Sequence, residues 1–489
     1  MRERMSGKHT GRKTTMSSQE TARFSINRDY MRKLGIFPGF SFSPQILYTI
    51  CISAYSIFIS RIPATMLDIK FIRENSDIIK AAAQKKHIDF DLDELIRVDH
   101  KRTALLQEVE KMRAEQNEYS QKIGSASDAN ERQGMIVKMQ GLKSILKAKE
   151  EELDKTMKAW RVLMLQVPNI PDHSVPEGAG DTENKEVRVW GDIPKFSFKP
   201  KSHVDIMEAL DMVDFERGAK VAGFRGYFLK NDGVRLNFAI WQFVFDRMSK
   251  KEGFAPLLTP SLVKKETLYG TGYLPQGEED LYKTQDESYM VGTSEVPTMA
   301  YYMDETVPKE KLPIKFFAFS PCFRREAGAH GKDTRGIMRV HEFFKFEQVV
   351  LCEANHEESV KYHEELTANA EGLMQELGIP YHVVVNCGGD LGLGQVKKYD
   401  IEAWVPSENR YRETHSSSYF HDFQTRRLNI RYRDDGALKF AHSLNNTALA
   451  TPRILISLIE NNQNEDGSIA IPPALQPYVG KEVIKKPIS

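Results

Sequence analysis

The chain has 489 residues, with 68 Lys and Arg side chains against 68 Asp and Glu. This length suffices for two or three domains with sizeable cores. A net charge of zero means that any basic surface for a nucleic acid must be local and balanced elsewhere. The four cysteines, Cys51, Cys322, Cys352 and Cys387, show no CxxC pair, so we expect neither a disulfide framework nor a zinc site.

Residues 1–65 differ in composition from the rest of the chain. They contain ten Lys and Arg but only three acidic residues, and their apolar run at 46–59 is shorter than the roughly 20 residues of a spanning helix. An acid-poor leader rich in Arg and Ser is typical of an organelle transit peptide. Alternatively, translation begins at Met66, where a well-patterned segment starts. We favour this second interpretation, and therefore predict a disordered or absent leader, a cytoplasmic protein and no membrane partner.

A heptad pattern predicts two long helices in the next domain, residues 66–175. Apolar positions are spaced by three and four residues from Leu95 to Ile123 and again from Met135 to Val167. The turn-forming residues 124–131 separate the two segments. We therefore predict an antiparallel helical hairpin that forms an arm. A dimerisation coiled coil or a plain spacer is compatible with the same periodicity.

The remaining domain, residues 176–489, begins with a linker rich in Gly, Pro and Glu at 176–185. Helices are predicted at 204–210 and 236–250, and strands at 316–320, 343–351, 381–385 and 428–433. Strands without regular βαβ alternation favour an antiparallel sheet flanked by helices, an α+β fold. The glycine-rich run 388–394 lacks the Lys-Ser/Thr pair of a phosphate loop, so we interpret it as a turn before a strand at 399–404.

The densest chemistry lies at residues 323–347, where the pattern predicts a strand, a loop and a returning strand. Alternation along a strand places Arg324 and Glu326 on one face, and it places Phe343, Lys345 and Glu347 on one face of the second strand. The Gly- and Arg-rich loop between them is suited to holding polyphosphate.

This segment resembles motif 2 of the class II aminoacyl-tRNA synthetases, in the form found in seryl-tRNA synthetases. Residues 293–295 (Thr-Ser-Glu) resemble that family's serine-pocket TxE motif, and residues 445–453 resemble its motif 3. Further matching segments are 270–275, 412–418, 422–427 and 471–475. The likeness extends over residues 66–484, so the resemblance implies a class II synthetase fold, ATP as a substrate and Mg²⁺ as its companion ion.

The resemblance implies the following roles at the nucleotide. Arg324 holds the α-phosphate of ATP, Arg339 holds the γ-phosphate, and Glu326 accepts from the adenine amino group. Adenine stacks between Phe343 and Arg453. Glu413 carries Mg²⁺ between phosphates with help from Ser416. The full ATP-binding set is Arg324, Arg325, Glu326, Arg339, Val340, Phe343, Glu413, Thr414, His415, Ser416 and Arg453, of which Arg324, Glu413 and Arg453 are the predicted catalytic residues.

The same resemblance implies a serine pocket in which Glu347 faces the substrate ammonium. Its predicted members are Thr293, Ser294, Glu295, Arg324, Glu347 and Thr447. Two positions depart from the family pattern. Thr447 stands where many relatives have Ser but keeps the hydroxyl, and Arg325 stands where Ser is usual, with its side chain expected on the opposite strand face.

The implied partners are L-serine, tRNA(Ser) held by the arm, tRNA(Sec) as a further substrate, and a second copy of the chain bound through residues 238–260. Two other functions remain open at this point. A synthetase-like ligase that loads a carrier protein would lack the long arm or carry an altered pocket. A non-catalytic relative would have lost Arg324, Glu326, Glu413 or Arg453, and all four are present.

Overall fold

The computed structural model describes residues 67–329, 331 and 333–486. The predicted leader, residues 1–65, lies outside the described residues. Within the described ranges, no helix is both long enough and apolar enough to cross a membrane.

The N-terminal domain consists of two short helices followed by a long hairpin. Its helices are α1 (Ile69–Glu74), α2 (Ser76–Lys85), α3 (Leu92–Ser125) and α4 (Ala129–Met164). Asp91 caps α3 by accepting from the backbone N–H of Glu94, and Asp128 caps α4 in the same way. The break between the long helices spans only residues 126–128, so it is shorter than predicted, and α4 ends three residues before the predicted end at Val167.

The two long helices run antiparallel, as predicted. Ion pairs join Lys101 to Glu152 at 2.9 Å and Arg113 to Glu150 at 2.8 Å. The higher-numbered residue of α3 thus pairs with the lower-numbered residue of α4, as antiparallel helices require. The seam is well buried near the second domain, where Leu95, Leu105 and Trp160 are at most 6% exposed. The hairpin is thus anchored at its base and extends into solvent.

The second domain contains nine further α-helices among the described residues. They are α5 (His203–Ala209), α6 (Phe215–Ala222), α7 (Asn231–Met248), α8 (Lys265–Thr271), α9 (Glu295–Met299), α10 (His356–Glu376), α11 (Phe423–Leu428), α12 (Arg453–Asn461) and α13 (Gln476–Val479).

Eight of the described strands form one large sheet, and the rest form small ribbons. The strands are β1 (Lys185–Trp190), β2 (Val213–Asp214), β3 (Phe228–Leu229), β4 (Phe254–Leu258), β5 (Leu262–Val263), β6 (Tyr289–Met290), β7 (Thr306–Val307), β8 (Ile314–Phe323), β9 (Glu342–Cys352), β10 (Tyr381–Val385), β11 (Lys397–Val405), β12 (Arg410–His421), β13 (Arg431–Asp434), β14 (Ala437–Phe440), β15 (His442–Thr451), β16 (Ile469–Ala470) and β17 (Val483–Ile484). The large sheet has the order β1-β10-β11-β12-β15-β9-β8-β4.

Every neighbouring pair in this sheet is antiparallel except β4 and β8. Apolar side chains of α7, α10 and α12, such as Phe243, Leu366 and Leu455, pack on the sheet and form the main core with Ile401 and Leu444. This confirms the predicted α+β class and the antiparallel sheet flanked by helices.

The predicted strand at 428–433 is wrong at its start. Leu428 ends α11, and Asn429 adopts a left-handed conformation with φ +56° that terminates this helix. The strand β13 begins only at Arg431. The predicted strands at 316–320, 343–351, 381–385 and 399–404 all lie inside observed strands.

Candidate functional site

A cavity of about 290 Å³ opens over the sheet where β9, β12 and β15 lie side by side. Its walls also include the loop that follows β8, the start of α12 and the glycine-rich residues 392–395. Twelve of the predicted residues line it: Glu295, Arg324, Glu326, Arg339, Val340, Phe343, Glu347, Glu413, Thr414, Ser416, Thr447 and Arg453.

Arg324 lies at the point where β8 ends. Its backbone N–H donates to the carbonyl of His341 at 3.0 Å, and its Nε donates to the carbonyl of Gly292 at 3.2 Å. Its guanidinium carbon lies 5.3 Å from the centroid of the Phe343 ring. Glu326 does not share a strand face with Arg324, because β8 stops at Phe323 and Glu326 has φ +54°. The prediction that both face one site holds, but the strand alternation offered as its reason is wrong.

An ionic network orders the loop after β8. Arg339 donates to Glu326 at 3.2 Å and to Asp333 at 3.0 Å, and Arg412 of β12 donates to the other Asp333 oxygen at 2.7 Å. Arg225 donates to the backbone carbonyls of Asp333 and Arg339. The loop is therefore fixed by contacts from three directions, and Arg339 and Glu326 face the cavity together.

Arg453 begins α12 and reaches across to β12. Its guanidinium donates to the carbonyl of Glu413 at 3.2 Å and lies 3.8 Å from the Glu413 carboxylate. Desolvation acts to raise the pKa of Glu413, but the charges of Arg453, Lys398 and Arg324 outweigh it and hold this pKa below its usual value. Glu413 is thus kept ionised where it faces the cavity.

Glu413 and Ser416 fit the predicted role of holding Mg²⁺ together with a substrate. A carboxylate and a hydroxyl are hard oxygen donors, which Mg²⁺ prefers. In the portion of the chain that the structure describes, no three His, Cys, Asp or Glu side chains are grouped to hold a metal ion. The residues present therefore suit an ion that takes most of its ligands from phosphates and water.

Two buried carboxylates, Glu295 and Glu347, face the other end of the cavity. Glu295 accepts from Gln424 at 2.6 Å and from the Tyr273 hydroxyl at 2.9 Å. The ammonium of Lys345 contacts Glu347. Burial raises the pKa of Glu347 to about 7 and also raises the pKa of Glu295. Two acids beside one lysine give this end a net negative charge when both are ionised.

Thr447 completes this end of the cavity. It lies on β15 directly opposite Glu347 of β9, and its hydroxyl is 3.5 Å from the Glu347 carboxylate. A hydroxyl at this point can therefore bond a polar substrate group as well as the acid.

Four predicted site residues do not line the cavity. Ser294 is fully buried, and its hydroxyl contacts that of Ser320 at 2.9 Å. The Thr293 hydroxyl accepts from the backbone N–H of Glu295, and buried His415 pairs with Thr414. Arg325 is likewise absent from the cavity wall. None of these four side chains forms part of the cavity wall, and their predicted contacts with a ligand stay predictions.

Sequence reasoning gave no role to several residues that shape the site. Tyr273 and Gln424 fall inside segments that match the family, and that match was the only signal for them. Strand alternation places Lys345 on the same face as Glu347, but the family motifs assign it no role. Gln395 directly follows the glycine-rich run 388–394 that we interpret as a turn, and it lines the cavity.

Two family models match the chain. The model described as "Seryl-tRNA synthetase N-terminal domain" matches residues 66–171, and "tRNA synthetase class II core domain (G, H, P, S and T)" matches residues 280–462. The serine--tRNA ligase of Deinococcus radiodurans is 48% identical over 86% of this chain and 100% of its own length. The chain belongs to the seryl-tRNA synthetase family.

Solved seryl-tRNA synthetases have the same fold. The Pyrococcus horikoshii enzyme, complexed with ATP, is similar with a TM-score of 0.78 and 37% identity over 87% of this chain and all of its own. The cytoplasmic serine-tRNA ligase from Naegleria fowleri, in complex with AMP, gives a TM-score of 0.76 and 34% identity over 87% of this chain and all of its own. The class II synthetase fold predicted from the motifs is thereby confirmed.

Proposed function

We propose that the chain activates L-serine with ATP and transfers the seryl group to the 3′ end of tRNA(Ser). One observation carries the proposal. A single cavity joins an arginine- and phenylalanine-lined end to a buried acidic end that contains a threonine hydroxyl. An adenylate of a small amino acid requires both ends at once, with its phosphate at the junction.

The arginine-lined end suits ATP. Phe343 offers an aromatic face to adenine, and Arg453 supplies the cation for the other face. Glu326 can accept from the exocyclic amino group of adenine, while Arg339 beside it can hold the terminal phosphate. Arg324 lies between the two ends, since it contacts Phe343 on one side and the carbonyl of Gly292 on the other.

The acidic end suits the ammonium and the hydroxyl of serine. Glu347 and Glu295 carry negative charge that Lys345 only partly neutralises. Thr447 offers a hydroxyl bond, and a pocket that bonds the substrate hydroxyl rejects alanine, because its polar groups would otherwise be left unpaired. We propose Glu295, Glu347 and Thr447 as the residues that distinguish serine.

Activation then follows from positioning and charge. A carboxylate oxygen of serine attacks the α-phosphorus in line, the bond to the bridging oxygen breaks, and diphosphate leaves. Arg324 orients both reactants and stabilises the charge that develops on the α-phosphate. Mg²⁺, held by Glu413 and Ser416 with the phosphates, would supply further neutralisation of the leaving group.

In the second step a ribose hydroxyl of the tRNA end attacks the seryl carbonyl carbon, and AMP leaves. We propose that the arm formed by α3 and α4 holds the tRNA through backbone and shape contacts. Exposed candidates on it are Arg97, Lys101, Lys111, Arg113, Lys143 and Lys147. tRNA(Sec) is proposed as a second acceptor, on family likeness alone.

We further propose a homodimer in the cytoplasm. The strand β4 is the outermost strand of the large sheet on one side, and Leu258 at its end is 81% exposed. Phe238 and Phe245 on α7 are 60% and 45% exposed. An exposed apolar surface beside an unpaired strand edge favours association with another chain. The domain boundaries at 66–175 and 176–489 remain predictions.

Serine-dependent exchange of diphosphate into ATP, followed by charging of tRNA(Ser), tests this proposal. We expect exchange with serine and not with alanine, and serylated tRNA in the second assay. Exchange without charging would favour a ligase that loads a carrier protein. Absence of exchange would overturn the proposed activity and favour a non-catalytic RNA-binding protein.

A further inference from the structure

The base of the arm, meaning the ends of α3 and α4 nearest the second domain and the residues that flank them, packs directly against the wall of the cavity. Leu95, Trp160 and Met164 of the arm belong to one buried cluster with Phe420 of β12, and Leu393 packs against that cluster. Phe420 and Leu393 also line the cavity. Only one layer of residues therefore separates the arm from the substrate site at this point.

Lys86, directly after α2, adjoins this contact through Leu393. It is 3% exposed, and its ammonium donates to three backbone carbonyls, those of Gly392 at 3.0 Å, Leu393 at 2.9 Å and Gln395 at 2.6 Å. Among the described residues, no carboxylate lies within ion-pair distance of it. Burial lowers the pKa of Lys86 well below its usual value. A buried cation of this kind is tolerated only because the carbonyl oxygens replace its water.

Asn169, which follows the end of α4 at the base of the arm, binds the same segment. Its backbone N–H donates to the carbonyl of Leu393 at 2.9 Å, and its side-chain amide donates to the carbonyls of Gly394 at 3.0 Å and Phe420 at 2.8 Å. Each of the four carbonyls in residues 392–395, here called the cavity loop, thus accepts a hydrogen bond from Lys86 or Asn169.

The cavity loop needs such restraint because of its sequence. Two of its four residues are glycines, which have little conformational preference of their own. Gly394 approaches the Phe423 ring so closely that a Cβ there would lie 2.4 Å from it. Gln395 transmits the position of the loop to the sheet, since its side chain donates to Ser418 at 2.8 Å, and Ser418 also lines the cavity.

We propose that Lys86 is a positioning residue for serine binding: its ammonium holds the cavity loop in place, so the base of the arm supports the active-site wall from behind. This inference rests on the proposed function. The loop borders Phe423, next to the Gln424 that donates to Glu295. Loss of its restraint should therefore affect serine more than ATP, whose proposed contacts lie on Arg324, Phe343 and Arg453.

The test compares Lys86→Met with Lys80→Met in the full chain. Met keeps the apolar stem but removes every donor, and Lys80 lies on α2 with an exposed side chain paired to Asp93 at 2.9 Å. For Lys86→Met we expect the KM for serine in the exchange assay to rise on the order of tenfold or more. The KM for ATP and kcat should stay within about twofold, and Lys80→Met should leave all three unchanged.

Hydrogen–deuterium exchange supplies a readout that does not depend on activity. Amides of residues 388–396 should exchange faster in Lys86→Met than in the unmodified chain, and Lys80→Met should match the unmodified chain. If Lys86→Met does not fold, Asn169→Ala takes its place and should change serine KM and loop exchange in the same direction.

A fall in melting temperature with unchanged serine KM and unchanged loop exchange would overturn the proposal, because it would show that Lys86 only joins the two domains. If the unmodified chain shows no serine-dependent exchange of diphosphate into ATP, the proposed function fails. Hydrogen–deuterium exchange of the loop amides then still decides whether Lys86 holds the loop.

Discussion

The guanidinium of Arg324 lies over the ring of Phe343, 5.3 Å from its centroid. The cation proposed to hold the α-phosphate is therefore in contact with the ring proposed to stack on adenine. Adenine and Arg324 cannot occupy that face of the ring together, so binding of ATP should move the guanidinium from the ring toward the phosphate. The two residues are expected to act as a unit.

Arg324→Ala should reduce kcat/KM for serine-dependent exchange by about 10²-fold or more, because the charge on the α-phosphate loses its main partner. The fold should persist, since the one hydrogen bond that the Arg324 side chain donates within the described part of the chain is to the carbonyl of Gly292. Exchange kinetics and a melting curve measure the two effects.

The matched control for this variant is Arg325→Ala. Arg325 is adjacent in the chain but does not line the cavity, so its removal should leave exchange within about twofold. Equal losses from the two variants would show that the loop as a whole, and not the Arg324 guanidinium, carries the effect.

Glu347 should make the stability of the ligand-free protein depend on pH. Its pKa is 4.5 ordinarily and about 7 in the fold, because burial penalises its charge. Between these values the unfolded chain loses the proton and the folded chain keeps it, so this contribution to stability falls as pH rises from 4.5 to 7. In Glu347→Gln that slope is absent. Across this pH window, the unfolding free energy of the unmodified chain should therefore fall by about 3 kcal/mol relative to that of Glu347→Gln.

Denaturant unfolding at several pH values measures this shift, and Glu305→Gln, at an exposed position, is the control. A difference that does not vary with pH would contradict the prediction.

Glu347→Gln should also bind serine more weakly above pH 7, because the ammonium of serine loses its anionic partner. The KM for serine should fall with rising pH in the unmodified chain and stay flat in Glu347→Gln.

The motifs allowed most of the cavity to be predicted, but the contacts behind its wall could not be. Glu347 and Phe343 follow from strand alternation, which is local. Lys86 and Asn169 reach the cavity only through the packing of the arm on the second domain, and no local pattern encodes that. The strand predicted at 428–433 starts too early for a local reason: Leu428 still belongs to α11, and the left-handed Asn429 ends this helix.

The outer part of the arm should be needed for tRNA and not for activation. Deleting residues 113–146 and joining the helices by a short glycine-containing turn keeps Leu95, Trp160, Lys86 and Asn169. Exchange should stay within about twofold, while charging of tRNA(Ser) should fall by at least about tenfold, because backbone contacts are lost. Unchanged charging would show that the arm does not hold the tRNA.

A deletion that also removes the base should behave differently. Removing residues 92–167 eliminates Leu95, Trp160 and Met164, which pack behind the cavity wall. We expect the KM for serine to rise in this variant, in addition to the loss of charging. The contrast between the two deletions separates the tRNA-binding part of the arm from the part that supports the cavity.

The proposed dimer depends on the apolar surface around β4. Leu258→Glu places a charge at the most exposed apolar position of that strand, and burying an unpaired charge in an interface is costly. Light scattering after gel filtration should show a dimer for the unmodified chain and a monomer for the variant at the same concentration. Leu438→Glu, at an exposed position on β14, is the control and should remain dimeric. A monomeric unmodified chain would contradict the dimer, and a dimeric Leu258→Glu variant would place the interface on another surface.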